Sequence, residues 1–280
     1  MRFVFFGTPE PAAEILGILH RKGLVPSLIV TNPDRPQGRN LKRTPPPVKE
    51  WAIAHSIPYT QPERADDIAG ELSGTNSDVF IVVAYGSILS PKILALPRRG
   101  SLNVHYSLLP KYRGASPVES QILANDRNTG VSILLLDEEM DHGPIVAVRR
   151  LEIPNWPPKA NELREVMDEV AGELLSEILP DWIAGRIEAK PQDHSRATYT
   201  KKLAKKDGEI NFSVDPYQNF LKIQAFTGSI GTYFFVEKGG EQIRVSIKSA
   251  EYRNGTLHFL RVIPEGKKEM EYEEFLRGNK

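Results

Sequence analysis

The chain of 280 residues contains no cysteine, balances its acidic and basic residues to a net charge of zero, and is 40% hydrophobic against 26% charged. That composition describes a globular protein with room for two domains. It excludes disulfides, thiolate metal sites, iron–sulfur clusters and a cysteine nucleophile. With the global charge neutral, a nucleic-acid partner has to be argued from local basic segments.

Residues 2–6 form a short apolar run rich in β-formers, and Gly7-Thr8-Pro9 ends it. The run is too short for the apolar core of a signal peptide. Nowhere does the chain approach the roughly 18 consecutive apolar residues of a membrane span. A cytoplasmic protein with no membrane partner is therefore expected. Pro9 or Pro11 is placed to open a helix, Ala12, Ile15, Leu16 and Leu19 follow helical spacing, and Gly23 closes it. Residues 24–31 read as the next strand, so the chain starts β-turn-α-β, the opening of a doubly wound α/β domain.

Residues 32–47 read as a loop: proline-rich, basic, and long for a compact domain, which marks it for function. Helical spacing resumes over 48–55. Residues 78–85 give the strongest strand signal, a continuous apolar run of the kind found in a central strand covered on both faces. Residues 101–105 read as a short strand. Residues 131–136 and 145–151 read as two strands flanking a turn, and 161–183 as a long amphipathic helix closed by Gly185. A charged, apolar-poor tract follows and reads as a linker. Beyond it lie a helix near 216–225 and short strands near 232–236, 242–248 and 257–262, the pattern of a small β barrel or curled sheet.

The chemistry concentrates in three polar residues. Asn103 and His105 lie two apart on one predicted strand and so point to the same side. Asp141 lies in the turn Met140-Asp141-His142-Gly143-Pro144. Ligands of open α/β sheets bind beyond the carboxyl ends of the strands, where all three can meet. An amide that donates hydrogen bonds, an imidazole and a carboxylate suit attack by a neutral amine on an acyl carbon. Asn103 and His105 would then stabilise the oxyanion, and Asp141 would organise the histidine and help move the amine's proton. The bland alternatives are a turn-capping Asn-X-His and a turn aspartate. Zinc, ATP and nicotinamide readings lack their motifs, so no metal is expected.

At these residues a resemblance enters. Asn103-Val-His105-Tyr-Ser107-Leu-Leu-Pro110-Lys-Tyr-Arg113-Gly114 resembles the signature of the formyltetrahydrofolate-dependent formyltransferases. Met140-Asp141-His142-Gly143-Pro144-Ile145, Phe5-Phe6-Gly7-Thr8-Pro9 and Ala84-Tyr85-Gly86 are similar to further motifs of that family. The resemblance implies a Rossmann-like N-terminal catalytic domain over 1–185, a basic linker over 186–206 and a smaller β-barrel-like (OB-like) domain over 207–280 that binds tRNA. It implies 10-formyltetrahydrofolate as donor and Asn103, His105 and Asp141 as the catalytic trio. The folate would lie against Ala84, Tyr85 and Gly86 and the loop that begins at Asp137, with Ser107, Leu108, Leu109 and Pro110 beside the formyl group.

Within the family the closest likeness is to members that act on initiator methionyl-tRNA, as a step of translation initiation. Asn32-Pro-Asp34-Arg35-Pro-Gln-Gly38-Arg39 and Tyr199-Thr-Lys201-Lys202-Leu-Ala-Lys205-Lys206 resemble their tRNA-contacting loop and interdomain linker. Charge points the same way: residues 34–49 carry a net +4 and residues 186–206 a net +5, leaving about −9 on the rest. Such segments can track phosphates, and Arg35, Arg39, Lys42, Arg43, Lys201, Lys202, Lys205 and Lys206 are the expected contacts. The competing readings are a formyltransferase for a small amine, such as an amino sugar nucleotide, and a catalytically silent RNA-binding protein on the same scaffold. Tyr106 is bulkier than the residue common at its position, and the C-terminal unit is short. A monomer is expected, since no long apolar stripe is left unassigned.

Overall fold

The computed structural model describes residues 1–37 and 42–278. In chain order the first elements are β1 (Phe3–Gly7), α1 (Glu10–Arg21), β2 (Leu28–Val30), β3 (Arg35–Gln37), β4 (Lys42–Thr44), α2 (Pro47–Ala54), β5 (Tyr59–Thr60), α3 (Ala69–Gly74), β6 (Val79–Val83), α4 (Pro91–Leu94) and β7 (Ser101–His105). Then come β8 (Arg113–Gly114), α5 (Pro117–Leu123), β9 (Thr129–Leu135), β10 (Ile145–Leu151), α6 (Ala160–Ile183) and β11 (Tyr199–Thr200). The chain finishes with α7 (Pro216–Phe226), β12 (Thr232–Lys238), β13 (Glu241–Arg253), β14 (Thr256–Pro264), β15 (Met270–Glu271) and α8 (Tyr272–Arg277).

Two compact units emerge, and neither is continuous in sequence. One comprises residues 1–113, 130–151 and 165–199; the other comprises 114–129, 152–164 and 200–280. The first holds a sheet of order β10-β9-β7-β6-β1-β2-β5. β5, β2, β1, β6 and β7 run parallel, and β9 joins β7 antiparallel. From β1 the chain steps outward through β2 to β5, then returns to β6 and β7, so the order reverses between β1 and β6. That is the doubly wound arrangement expected, with its crevice at the carboxyl ends of the central strands.

Every residue of β1 and of β6 is buried, because both faces of the sheet are covered. On one face Val4, Phe6, Phe80 and Val82 pack with Leu72 of α3 and Ile93 of α4. Their alternates Phe3, Phe5, Val79 and Ile81 are buried on the other. Burial contributes about 1.5–3 kcal/mol for each large apolar side chain. Helices as short as α3 and α4 do not stand alone in water, so the sheet holds them. Gly172 marks a close approach of α6 to α1: a Cβ there would lie 2.7 Å from Ile18 Cδ1.

The second unit contains an antiparallel sheet of order β12-β13-β14-β15. Ile210, Ile223, Phe234, Val245, Ile247, Val262 and Phe275 form its core, so α7 and α8 both pack on that sheet. This is the small β unit expected at the C-terminus. β13 bends at a bulge between Ile247 and Ala250.

Several expectations change in detail. The strand read over 24–31 shortens to β2, since Gly23 to Pro26 leave the chain without a ladder partner. The basic loop over 32–47 contains a hairpin, β3 paired with β4 through Arg35↔Thr44, Pro36↔Arg43 and Gln37↔Lys42. No alternating apolar pattern announces it. The tract read as a linker is part of the first unit as far as Tyr199. There Lys190 bridges Ile145, and Gln192 is buried.

Candidate active site

β7 ends at the crevice and delivers Asn103 and His105 to one side of the sheet. Asp141 comes from the turn between β9 and β10. Asn103 Nδ2 donates to Asp141 Oδ1 at 3.4 Å, and His105 Nδ1 lies 3.5 Å from Asp141 Oδ2. The three side chains therefore meet at one carboxylate. His105 and Asp141 are both buried. His105 Nε2 stands 2.9 Å from the carbonyl oxygen of Tyr112. A carbonyl only accepts, so Nε2 carries a proton and donates it, which leaves Nδ1 as the nitrogen facing Asp141.

Asp141 adopts φ 51°, the left-handed region, which costs an L-residue about 1–2 kcal/mol. The surroundings hold it there. Gln192 Nε2 donates to the carbonyls of Asp141 and Gly143 at 2.8 and 2.7 Å. Leu135 N donates to Pro144 O at 2.9 Å. At Gly143 a Cβ would fall 1.9 Å from Leu135 O, so only glycine lets the turn pass. Gln192 is fixed in turn by Arg113, whose Nε and one terminal nitrogen donate to Gln192 Oε1 at 3.2 and 2.8 Å. Arg113 is 1% exposed. Its guanidinium also donates to His194 Nδ1 at 2.9 Å. His194 stacks on His142 with ring centroids 4.0 Å apart, and His142 Nδ1 donates to Asp137 Oδ2 at 2.7 Å. A network thus runs from the buried Arg113 and Gln192 out through the exposed His194 to both ends of the 137–141 loop.

Beside this arrangement lies a cavity of about 370 Å³, lined by Val82, Ser87, Ile88, Leu89, Leu94, Asn103, Leu136 and residues 137–141. Its size suits a compact ring system. Its lining combines aliphatic side chains with Ser87, Asn103 and the acidic residues Asp137, Glu138, Glu139 and Asp141. No group of three or more metal-ligating side chains occurs among the described residues.

Residues 1–179 match the family described as Formyl transferase. The chain belongs to that family. Among its relatives, the methionyl-tRNA formyltransferase of Chloroflexus aurantiacus is 41% identical over 91% of this chain and 82% of its own. That of Herpetosiphon aurantiacus is 38% identical over 100% of this chain and 98% of its own. Among solved structures, a 4-N formyltransferase from Francisella tularensis superposes with a TM-score of 0.68 at 18% identity, covering 90% of this chain and 98% of its own. Methionyl-tRNA formyltransferase from Clostridium thermocellum gives 0.61 at 15% identity, with 97% and 99% covered. At such identities these two likenesses establish the fold.

In this formyltransferase the other expected folate residues fall in three places. Asp137 lines the cavity. Ala84, Tyr85 and Gly86 form the turn between two lining segments; the Tyr85 ring is buried in the core, where desolvation pushes its hydroxyl up to about 12. The Tyr85 carbonyl accepts from Thr8 Oγ1 and Asn32 Nδ2. Ser107, Leu108, Leu109 and Pro110 are absent from the cavity wall. Ser107 Oγ donates to Lys111 O, Ser132 Oγ donates to Ser107 O, and Leu109 N donates to Ser132 Oγ. Pro110 O accepts from Thr198 N. That segment knits the turn behind His105. Tyr106 turns away as well, its hydroxyl donating to Asp168 of α6.

The expected RNA contacts belong to both units. Arg35 is exposed and pairs with Glu63 at 2.8 Å, Arg43 is exposed, Lys42 starts β4, and Arg39 lies outside the described residues. Lys201, Lys202, Lys205 and Lys206 are exposed, with Lys201 3.1 Å from Asp207. Arg113 enters the sequence reading only inside the family signature, and Gln192 not at all. Gln192 sits in a charged tract, and nothing in its neighbours marks it as buried.

Proposed function

We infer that the chain transfers the formyl group of 10-formyltetrahydrofolate to the free amine of initiator methionyl-tRNA, for translation initiation. The observation that carries this reading is the extent of the likeness: relatives bearing that activity in their names match across nearly their whole length at about 40% identity. Sugar N-formyltransferases, by contrast, are likened through fold at 16% identity. Folate donors fit the cavity in kind. A pterin is flat and rich in N–H groups, and the lining combines aliphatic side chains with acidic residues. A homologous fold, a sugar 3N-formyltransferase, has been solved in the presence of 5-N-formyltetrahydrofolate.

The chemistry needs no enzyme nucleophile. The acceptor amine attacks the formyl carbon, and the carbonyl oxygen becomes an oxyanion. Asn103 Nδ2 donates to it, and His105, acting with a proton on each ring nitrogen, donates through Nδ1–H, since Nε2–H is committed to Tyr112. Asp141 takes the proton that the amine loses. The bond from carbon to the folate nitrogen then breaks, and that nitrogen takes up a proton, so the formylated amine and tetrahydrofolate leave with charge and atoms balanced. Arg113 and Gln192 act by holding the Asp141 turn. The folate is proposed to meet Ala84, Tyr85, Gly86 and Asp137, with the Ser107 to Pro110 turn as support.

The tRNA is proposed to meet Arg35, Arg39, Lys42 and Arg43 together with Lys201, Lys202, Lys205 and Lys206, and residues 207–280 to form a tRNA-binding domain. The enzyme acts as a cytoplasmic monomer, where charged tRNA is available. Incubation with formyl-labelled donor and charged initiator tRNA should move the label to the amine of methionine. Label that stays on the folate overturns the reading.

A further inference from the structure

The surface where α1 and α2 pack together carries a histidine pair that the reaction does not use. His20 lies in the last turn of α1, and His55 caps the C-terminus of α2. Far apart in sequence, they match no metal-ligand spacing. In the fold their ring centroids lie 4.9 Å apart, and the ring planes cross at 70°. Trp51 supports both: its indole stacks on His55 at 4.0 Å and meets His20 edge-on at 5.6 Å. His20 and Trp51 are half-buried, while His55 is exposed.

The ring nitrogens keep lone pairs for a guest. His55 Nδ1 stands 2.9 Å from the carbonyl oxygen of Trp51. That oxygen only accepts, so Nδ1 carries the proton and Nε2 of the neutral ring carries the lone pair. A backbone carbonyl that fixes the far nitrogen is the support metal-bound imidazoles use. The His20 ring makes no hydrogen bond among the described residues. Two imidazoles bound to one ion at about 2.0–2.1 Å, near the tetrahedral angle, place their ring centres roughly 5 Å apart, which is the separation seen here. The other close pair, His142 and His194, offers a contrast. Its planes are 7° apart, so in-plane lone pairs run side by side instead of converging. One nitrogen of each ring is also committed, to Asp137 and to Arg113.

Charge selects the kind of guest. A cavity of about 540 Å³ beside the pair is lined by Glu10, Glu14 and Glu50 against the single cation Arg21. None of these carboxylates is ion-paired among the described residues. Both histidines stand at helix C-termini, the negative ends of the backbone dipoles. The local field therefore draws cations and repels anions. Imidazole nitrogen suits zinc, nickel and copper, whereas magnesium and calcium take oxygen ligands.

We propose that His20 and His55 form a binding site for a divalent transition-metal ion such as zinc, which clips α2 to α1. No third ligating side chain closes on the pair among the described residues, so water completes the shell. The inference is independent of the function proposed above.

Zinc is titrated calorimetrically into the tag-free full chain, with magnesium as the competing ion. H20A and H55A should each raise the dissociation constant for zinc by at least about 10-fold, the lower end of what losing even an outer-shell partner costs. Wild-type affinity in either variant overturns the site. Magnesium displacing zinc at equal concentration also overturns it, since the carboxylates would then hold the ion. Should H20A fail to fold, the imidazole nitrogen resonances of the wild-type chain are followed by NMR. Zinc should displace those of both His20 and His55. Displacement of neither, or of one alone, overturns the pair.

Discussion

At the residue scale, the site is a carboxylate held in a strained backbone by a buried amide. Asp141→Asn removes the proton acceptor, and His105→Ala removes the imidazole behind it. Each should lower turnover by about 10²–10⁴ with little change in folate affinity, measured by single-turnover formyl transfer beside equilibrium binding. Near-normal turnover removes that residue from the mechanism. Gln192→Glu separates positioning from packing. The carboxylate can still accept from Arg113, but it cannot donate to Asp141 O and Gly143 O, and it repels both carbonyls. A displaced turn should cost about 10- to 100-fold in turnover at unchanged KM for tRNA. Wild-type turnover would show that the turn holds without it. Asn103 and His105 were legible in the sequence because a two-residue spacing on a strand fixes the side to which both point. Asp141 stood out only through the family motif, since an aspartate before His-Gly-Pro is by itself an ordinary turn residue. The roles of Gln192 and Arg113 were not legible, because burial of a polar side chain by distant partners leaves no local pattern.

At the scale of elements, the strands with continuous apolar runs, β1 and β6, could be read directly, whereas β2 was overextended and the β3–β4 hairpin missed. Short ladders depend on partners rather than on their own pattern. At the edge of β6, Asp78 is nearly buried. Desolvation raises its pKa, and Arg98 and the Arg2 backbone N–H outweigh that effect, so the net displacement is downward. A depressed folded value means stability that is present above the ordinary aspartate value, about 3.9, and lost as pH falls through and below it. Asp78→Asn should lower Tm at pH 7 by about 2–4 °C, with the gap to wild type closing below pH 4 in thermal melts. A constant gap would mean that packing, not charge, is at work. On the hairpin, the Arg35 pair with Glu63 is exposed and worth at most about 1 kcal/mol, so a phosphate can displace it. Arg35→Ala with Arg43→Ala should flatten the salt dependence of tRNA binding by about two; an unchanged slope dismisses the hairpin as an RNA contact.

At the scale of the molecule, the α/β class was legible because strands and helices alternate, and the C-terminal β unit because short strands recur at regular spacing. Two units were expected from the length, but their bounds were not legible, since each is assembled from separate stretches of chain that only three-dimensional contacts reveal. No described helix is long and apolar enough to cross a membrane. What the molecule is for turns on the acceptor, because one trio can serve any amine that reaches the formyl carbon. The most direct test is a competition: charged initiator tRNA and an amino sugar nucleotide offered together, with limiting 10-formyltetrahydrofolate, and each formylated product quantified. The 41% and 38% identity to methionyl-tRNA formyltransferases predicts that kcat/KM favours methionyl-tRNA by at least about 10³, the discrimination that contacts worth about 4 kcal/mol provide. Equal use of the two acceptors, or preference for the sugar nucleotide, would contradict the account.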